Sequence, residues 1–435
     1  MSAATMRPER FRLGASDARE LAERFGTPLY VMDADTIRDR ACRYRSAAAA
    51  ASRRYDVSYA SKANSLLGVL ALVRAAGLSV DVASEGEFRA AEHAGFLPTQ
   101  CHFHGNFKSE SELDYAVSRG IGTIVIDHFS EIEQLRTREY RGEVVIRVAP
   151  GVQPDTNPKI STGQRDTKFG FGIGQGAARE AVRTALRSGL DLKGFHIHVG
   201  SQILNLEAHR EGARTLAQFA AECRDTLGYK ARYLNLGGGL GIRYLPGDRW
   251  LDPCDVLPQL VAEMEAHYPM DELTIGYEPG RWIVGEAGVT LYRIGVVKDV
   301  GVRTYVAVDG GVSDNPRPAM YGSAYDVEVV PADDRATWDY VTDGPGAAFG
   351  TPRARVVTVA GKHCETDTLF PDVEVRQDVV EGDLLQVMCT GAYHHGLSSQ
   401  YNRFRRPATV LRDGNTYRLI QRRDDWADLF SRESV

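Results

Sequence analysis

The sequence predicts an α/β protein, with a (β/α)8 barrel of the TIM type and a second, mostly antiparallel β domain of barrel or sandwich form. Between residues 56 and 280, eight short β-branched or aromatic runs alternate with amphipathic segments rich in Ala, Leu, Glu and Arg. This alternation is typical of a parallel β/α barrel. After residue 285, such runs follow one another without a long helical segment, which is typical of antiparallel sheet. An open doubly wound sheet is the alternative for the first part.

The predicted barrel strands follow an opening run at 29–33, and they span 56–63, 78–84, 101–105, 122–127, 143–150, 192–200, 231–239 and 273–280. Helical periodicity predicts helices at 85–94, 176–188 and 206–226, and an alanine run at 47–51 also favours a helix. The β domain is predicted to contain strands at 288–301, 304–311, 354–364 and 383–389. A hairpin is predicted at 408–423, with Asp413-Gly414 in its tight turn.

Composition excludes several functional classes. The 435 residues include 52 basic and 58 acidic side chains, a net charge of −6, which argues against a nucleic-acid partner. No apolar run approaches the roughly 18 residues of a membrane-spanning helix, and the first residues lack the apolar core of a secretory signal. Six cysteines form no C-x-x-C pair, so neither a metal site nor a disulfide framework is predicted, and we expect a cytoplasmic protein.

Polar side chains gather where the predicted barrel strands end, which is where barrels of this type carry their active sites. They are Lys62, Asp81, Ser84, His104, Asn106, Asp127, His198, Ser201, Gly237 to Gly239, Glu278 and Arg281. Lys62 stands out because the chain has only eight lysines. A strand-end lysine is often a snorkelling or salt-bridged side chain. The alternative is a Schiff-base lysine, whose amine becomes reactive when burial lowers its pKa.

The glycine run NLGGGLG at 235–241 lacks the G-x-G-x-x-G spacing of a dinucleotide site. It is either a structural tight turn or a phosphate cradle. The motif YEPGR places Glu278 and Arg281 after the eighth strand, and barrel phosphate sites recur after strands seven and eight, which favours the cradle. A lysine, a phosphate cradle, an acid and a flat imidazole at His198 together meet the needs of pyridoxal phosphate, although His198 alone could be an ordinary core histidine.

Nine motifs in sequence order resemble the diaminopimelate decarboxylase family of alanine-racemase-fold pyridoxal enzymes, over nearly the whole chain. They are YASKAN (59–64), HGNFKS (104–109), HVGSQ (198–202), GGGLG (237–241), YEPGR (277–281), RPAMYG (317–322), KHCETD (362–367), TGAY (390–393) and YNRFRRPA (401–408). The resemblance implies a pyridoxal-binding barrel at 36–285 and a β domain formed by 1–35 with 286–435.

The resemblance also implies roles for single residues. Lys62 would bond to the cofactor, Glu278 would pair with its ring nitrogen, and Cys364 would supply a proton after carbon dioxide leaves. His198 would stack on the ring, and Asp81, Ser201, Gly239, Gly280, Arg281 and Tyr393 would complete the cofactor's surroundings. The substrate's distal carboxylate would be held by Arg281, Arg317 and Tyr321, its distal ammonium would be held by Glu365, and Tyr393 would also bind the substrate. Two-point pairing suits arginine to a carboxylate.

In such enzymes the Cys-Glu loop serves the partner's site, so the resemblance implies a homodimer with shared active sites and a small zwitterionic amino-acid substrate. The expected reaction converts meso-2,6-diaminopimelate to L-lysine and carbon dioxide. Alternatives are a related decarboxylase for another or a carrier-bound amino acid, an inactive pyridoxal-binding regulator and, less favoured, a racemase. Departures from the family pattern are Phe107, Thr366 and the pair His394-His395.

Overall fold

The computed structural model describes residues 10–151, 167–333, 335, 354–365 and 368–435. Contacts between residues divide the chain into two units. The barrel unit contains Ile37–Ile242 and Arg249–Ile283, and the β unit contains Met1–Thr36, Arg243–Asp248 and Val284–Val435. Within the described ranges, every helix is too short or too polar to cross a membrane.

Eighteen strands occur in the described parts of the chain. They are β1 (Leu29–Asp33), β2 (Tyr55–Ala60), β3 (Ser79–Val82), β4 (Cys101–Phe103), β5 (Thr123–Ile126), β6 (Glu143–Ala149), β7 (Phe171–Gly172), β8 (Asp191–His196), β9 (Tyr233–Asn235), β10 (Thr274–Tyr277), β11 (Gly288–Asp299), β12 (Thr304–Val308), β13 (Val327–Val330), β14 (Ala354–Ala360), β15 (Thr368–Arg376), β16 (Leu384–Val387), β17 (Ala408–Asp413) and β18 (Thr416–Gln421).

Twelve α-helices are also described. They are α1 (Ala15–Phe25), α2 (Ala34–Ala51), α3 (Leu67–Ala75), α4 (Glu85–His93), α5 (Glu110–Ser118), α6 (Phe129–Thr137), α7 (Ala177–Arg187), α8 (Leu206–Leu227), α9 (Pro253–Glu265), α10 (Arg281–Val284), α11 (Arg317–Tyr321) and α12 (Trp426–Phe430). The helices predicted at 85–94, 176–188 and 206–226 are α4, α7 and α8, and the alanine run at 47–51 ends α2.

In the barrel unit, eight parallel strands form a closed ring. Their order is β5-β4-β3-β2-β10-β9-β8-β6, and β6 pairs with β5 to close it. All eight predicted barrel strands are therefore confirmed, and the open-sheet alternative is wrong. The short β7 adds to β6 outside the ring. Val125, Val145 and Tyr233 pack together in the buried core.

Helix positions in this unit follow from residue spacing and from capping side chains. On α7, the buried residues Ala178, Ala181, Val182 and Ala185 recur at the spacing that lines one face of an α-helix. Ser84 caps α4 by accepting a hydrogen bond from Glu87 N–H. This cap fixes where α4 begins, shortly after the end of β3.

The β unit is built around β1 and β11. β1 pairs antiparallel with β11 and parallel with β17. A register shift between Ile294 and Val296 allows the first half of β11 to pair with β1 and β16 and its second half to pair with β12. Six of the eight pairings in this unit are antiparallel, so the predicted mostly antiparallel sheet is confirmed.

Two strands of the β unit were not predicted. β15 contains Pro371, and proline normally argues against a strand. β13 has only four residues, and their pattern is partly exposed. The predicted hairpin is present as β17 and β18, with Gly414 in a left-handed conformation at its turn.

Candidate active site

Lys62 lies just beyond β2, on a single 3-10 turn formed by Ser61–Ala63. The strand predicted at 56–63 thus ends at Ala60, and the lysine stands on a turn after it. Ser61 Oγ donates a hydrogen bond to Glu87 Oε2 at 2.8 Å, which anchors the turn. Lys62 is exposed, and its amine is close enough to Asp81 and His198 for its charge to act on both.

Glu278, directly after β10, is the centre of a buried polar cluster. Its Oε1 accepts a hydrogen bond from Asn235 Nδ2 at 2.7 Å and lies 3.1 Å from His104 Nε2. Its Oε2 lies 2.9 Å from His196 Nε2. These partners come from the ends of β4, β8 and β9, so closure of the barrel assembles the cluster.

The cluster keeps Glu278 ionised. Burial alone would raise the pKa of Glu278, but the charges and hydrogen bonds of His104 and His196 outweigh burial and hold that pKa well below its usual range. Burial in turn lowers the pKa of both histidines. We therefore assign a buried carboxylate that accepts hydrogen bonds from an amide and two imidazoles near neutral pH.

Asp81, the residue before the end of β3, lies beside the same cluster. Its Oδ1 lies 3.8 Å from His104 Nε2, and its side chain is 3% exposed. Burial raises the pKa of Asp81 to about 6, while His104 and Lys62 oppose this shift. Asp81 can therefore change its proton occupancy near neutral pH, whereas Glu278 stays ionised.

The glycine segment 237–241 packs against the backbone of neighbouring strand ends. A Cβ on Gly238 would lie 2.1 Å from Glu278 O, and one on Gly239, whose φ is +109°, would lie 2.2 Å from Gly200 O. Close packing therefore requires both glycines, whichever interpretation of the run is correct. His198 Nδ1 accepts a hydrogen bond from Gly238 N–H at 3.4 Å, which orients the imidazole.

The imidazole of His198 is held in its neutral form. Burial lowers the pKa of His198 well below its usual value, and the charges of Lys62 and Arg147 lower it further. Next to it in the chain, Ser201 Oγ accepts a hydrogen bond from Arg281 Nη2 at 3.0 Å. Ser201, Arg281 and the glycine segment thus form one neighbourhood of hydrogen-bond donors that could receive an anion.

His209, on α8 behind the glycine segment, gives the barrel unit a testable pH dependence. Burial lowers its pKa to about 4, below the value of about 6.5 for an unfolded chain. The unfolded state therefore binds this proton more readily, and stability is lost as the pH falls from about 6.5 toward about 4. Between pH 8 and pH 5, His209 should cost about 2 kcal/mol of unfolding free energy.

The His209→Phe variant should remove this part of the pH dependence. Urea denaturation at pH 8 and pH 5 measures the unfolding free energy of both proteins. We expect the variant to lose about 2 kcal/mol less than the wild type on acidification. An equal loss in the two proteins would mean that His209 does not titrate as inferred.

In the β unit, Arg317 begins α11 and is surrounded by tyrosines. Its Nε donates a hydrogen bond to Tyr325 OH at 2.6 Å. Its Cζ lies 5.9 Å, 5.4 Å and 5.5 Å from the ring centres of Tyr244, Tyr321 and Tyr393, within the range of cation–π attraction. The structure thus brings together the predicted residues Arg317, Tyr321 and Tyr393.

Arg317 is 5% exposed, yet within the described ranges it forms no ion pair with a carboxylate. Its hydrogen-bond partners are hydroxyl groups, Tyr325 OH and Ser323 Oγ. Arg243, in the same unit, shows the usual arrangement, because its guanidinium pairs with the buried Glu286 at 3.1 Å. Arg317 therefore keeps a positive charge available for an anion from outside the described residues.

Cys364 and Glu365 lie on the exposed loop after β14. Cys364 N–H donates a hydrogen bond to Asn402 Oδ1 at 3.2 Å, and Tyr401 OH donates one to the Glu365 carboxylate. The turn Tyr401–Arg403 thus contacts the backbone of Cys364 and the side chain of Glu365. Thr366, one of the departures from the family pattern, lies outside the described residues.

The other departures are described. Phe107 is 75% exposed. His394 is buried, with Nδ1 at 2.9 Å from Ala392 O, and it packs edge-on against Tyr325. His395 is partly buried, and burial lowers its pKa to about 4.

Several residues of the cluster were not singled out from the sequence. His196 precedes His198 by two positions, so both belong on the same face of the strand predicted at 192–200, and the alternation in FHIHVG is a usable signal. From the sequence, His104 is recognisable only as a residue at the end of a predicted strand. Nothing local distinguishes Asn235 or Tyr325, because their partners are distant in the chain or reached through an irregular turn.

The arrangement fits pyridoxal phosphate by its donor chemistry. Lys62 offers an amine for an aldehyde, and Glu278 offers an ionised carboxylate for a protonated ring nitrogen. Ser201 and Arg281 offer a hydroxyl and a guanidinium near Gly239, where no side chain competes, which suits a phosphate. The cluster of His104, His196 and Glu278 could also hold a metal ion by ligand type, but Glu278 Oε2 is already paired with His196 Nε2 at 2.9 Å.

Comparison with known proteins agrees with this chemistry. Residues 34–285 match the sequence profile of the family described as pyridoxal-dependent decarboxylase, pyridoxal binding domain. Diaminopimelate decarboxylase of Bacillus subtilis (strain 168) is 40% identical over 96% of this chain and 93% of the relative. That of Actinosynnema pretiosum subsp. auranticum is 42% identical over 97% and 92%.

A solved structure is similar over the same extent. Diaminopimelate decarboxylase from M. jannaschii, in co-complex with L-lysine, superposes with a TM-score of 0.86 at 31% identity, covering 96% of this chain and 94% of that one. Fold, site chemistry and sequence thus agree over both units, and the chain belongs to the diaminopimelate decarboxylase family of pyridoxal-dependent decarboxylases.

Proposed function

We propose that this chain catalyses the pyridoxal phosphate-dependent decarboxylation of meso-2,6-diaminopimelate to L-lysine and carbon dioxide, the last step of lysine biosynthesis. The proposal depends above all on Arg317. Its guanidinium is buried and hydrogen-bonded only to hydroxyl groups among the described residues, so a substrate carboxylate would complete its pairing. An enzyme that decarboxylates an amino acid without a distal carboxylate, and so forms a diamine, would not need such a group.

The barrel residues would hold the cofactor. Lys62 would bind its aldehyde carbon, and Glu278 would hold the proton on its ring nitrogen. Ser201, Gly239, Gly280 and Arg281 would surround its phosphate, His198 would contact its ring, and Asp81 would complete the polar surroundings. When bound, pyridoxal phosphate accepts the electron pair that carbon dioxide leaves at the substrate carbon.

The β unit would supply the groups that act on the substrate. Arg317, with Arg281, Tyr321 and Tyr393, would bind the distal carboxylate, and Glu365 would accept hydrogen bonds from the distal ammonium. Cys364 Sγ would donate a proton to the carbon that has lost carbon dioxide and would regain one from solvent. The balance is one diaminopimelate and one proton consumed for each lysine and carbon dioxide formed.

We further propose that residues 36–285 bind the cofactor and that 1–35 with 286–435 complete the active site of a partner subunit, in a homodimer. The exposed position of Cys364 and Glu365 supports this, since groups that serve another subunit must be accessible. We place the protein in the cytoplasm, because a thiol that donates protons must stay reduced. All six cysteines are free.

The proposed function is tested with a panel of amino acids. The purified holoenzyme is incubated with meso-diaminopimelate, lysine, ornithine and arginine, and products are identified by mass spectrometry. We expect L-lysine from diaminopimelate and slower or no reaction with the others. Reaction with another amino acid but not with diaminopimelate would overturn the proposed substrate, and no reaction by a protein that binds the cofactor would indicate an inactive regulator.

The Cys364→Ala variant should bind the cofactor normally but turn over at least about 10²-fold more slowly, as expected for loss of a positioned acid. Cofactor binding is read from visible absorbance, and kcat is read from lysine release. Cys42, another exposed free cysteine, provides a matched control, because Cys42→Ala should leave kcat unchanged. A Cys364→Ala variant as fast as the wild type would remove this thiol from the mechanism.

A further inference from the structure

Tyr325 contacts Arg317, the residue proposed to bind the substrate's distal carboxylate, but Tyr325 belongs to none of the nine family motifs. It follows α11 after a chain reversal at Gly322, whose left-handed φ of +64° ends the helix. Gly322 N–H donates to Pro318 O at 2.8 Å. The reversal brings residues 323–325 back beside Arg317, the first residue of the same helix.

The contact engages one specific edge of the Arg317 guanidinium. Tyr325 OH accepts from Nε at 2.6 Å, and Ser323 Oγ accepts from Nη2 at 3.3 Å. A guanidinium is a planar fork of five donors. When the Nε edge is taken, the plane is set, and the edge formed by Nη1 and Nη2 is left to pair with a carboxylate at two points.

Tyr325 is itself held by aromatic packing. It is 2% exposed, and its ring contacts Tyr244 and His394 edge-on, with centroids 5.2 Å and 5.4 Å apart. Phe370 packs against it at 5.8 Å. The buried His394, a departure from the family pattern, therefore acts as a support for Tyr325, and the phenol oxygen has little freedom to move.

We propose that Tyr325 is a positioning residue that orients Arg317 toward the substrate's distal carboxylate and so sets the preference for a substrate that carries one. This inference rests on the proposed function, because it assigns the anion that Arg317 receives. Tyr325 acts through Arg317 and has no part in bond making or breaking.

Two ligands that differ by one carboxylate test the proposal. L-lysine retains the distal carboxylate of diaminopimelate, whereas 1,5-diaminopentane has the same carbon chain and both amines but no carboxylate. Their dissociation constants are measured on the holoenzyme from changes in cofactor absorbance. In Tyr325→Phe, which keeps the ring, we expect L-lysine to bind about 10-fold or more weakly, because a hydrogen bond to a charged group is lost. Diaminopentane should bind as before.

Kinetics give a second readout. In Tyr325→Phe, KM for diaminopimelate should rise by a similar factor of about 10, while kcat stays within about twofold. Tyr140→Phe is the matched control, since it removes another buried phenol whose hydroxyl donates to Ile121 O in the barrel unit. Both ligands should bind that control as they bind the wild type.

If the Tyr325→Phe protein does not fold, the same ligand-binding measurements on Ser323→Ala provide the test, because Ser323 contacts the same edge of Arg317. Ser323 is only partly buried, and its loss should weaken L-lysine binding by about threefold without changing diaminopentane binding. Equal weakening of both ligands, or no weakening of L-lysine, overturns the inference. A wild-type enzyme that makes no lysine from diaminopimelate is a different result, which overturns the proposed function itself.

Discussion

The Lys62→Ala variant is expected to lose decarboxylation, with kcat lower by on the order of 10³-fold or more. Lys62 is the exposed amine on the turn after β2, and alanine has no group that can bond to an aldehyde. The visible absorption band of the protein-bound cofactor should disappear with it. Lysine release and the absorbance spectrum measure the two effects on the same sample.

Lys298 provides the control for this substitution. It is exposed on β11, so Lys298→Ala should change neither the spectrum nor kcat. A Lys62→Ala protein that keeps the absorption band and turns over within tenfold of the wild type would show that another amine binds the cofactor. Lys62 would then be an ordinary snorkelling or salt-bridged side chain.

A mixing experiment shows whether the inactive variant is folded and also tests the shared active site. Lys62→Ala and Cys364→Ala proteins are combined under conditions that allow subunits to exchange. A mixed dimer with shared sites has one site with both substitutions and one with neither, so activity should recover to about one quarter of wild type. No recovery after verified exchange would argue that each chain completes its own site.

The Glu278→Gln variant is expected to lower kcat by about 10²- to 10³-fold, the usual cost of removing a preorganised electrostatic partner. Glu278 is held ionised by His104 and His196, and only a negative charge keeps a proton on a neighbouring ring nitrogen. Glutamine keeps an oxygen that can accept the hydrogen bond from Asn235, but it carries no negative charge. Steady-state kinetics and the pH dependence of the cofactor spectrum measure the effect.

Two further substitutions make this result specific. Glu278→Asp keeps the charge and should be less impaired than Glu278→Gln. Glu263, paired with Arg210 and Arg214 on the barrel's outer helices, is the control, and Glu263→Gln should leave kcat unchanged. If Glu278→Gln retained wild-type kcat, the charge of the cluster would have no role in the reaction.

The barrel was largely predictable from sequence because its signals are local. A buried parallel strand must be a short apolar run, as in TIVI of β5, where every side chain is buried. Helix α7 likewise shows its buried face through the spacing of its alanines. The two strands missed in the β unit, β13 and β15, lack such a signal, since one is short and the other contains Pro371.

The site was predictable only in part. Lys62, Glu278 and His198 stand at strand ends, and strand ends in a parallel barrel must share one face. The partners of Glu278 could not be predicted from sequence, because Asn235 and His104 precede it by 43 and 174 positions in the chain. Such contacts depend on the order in which strands close the ring.

The sequence by itself determined the fold class and the eight barrel strands, because these follow from local periodicity, and its motifs singled out Lys62, Glu278 and Cys364 as candidates. Only the tertiary structure decided how those groups are charged and aimed. Glu278 is ionised because two distant histidines lie beside it, and Arg317 is oriented because a chain reversal returns Tyr325 to its Nε. Charge state and orientation depend on distance and burial, and in a folded chain those are set by neighbours in space.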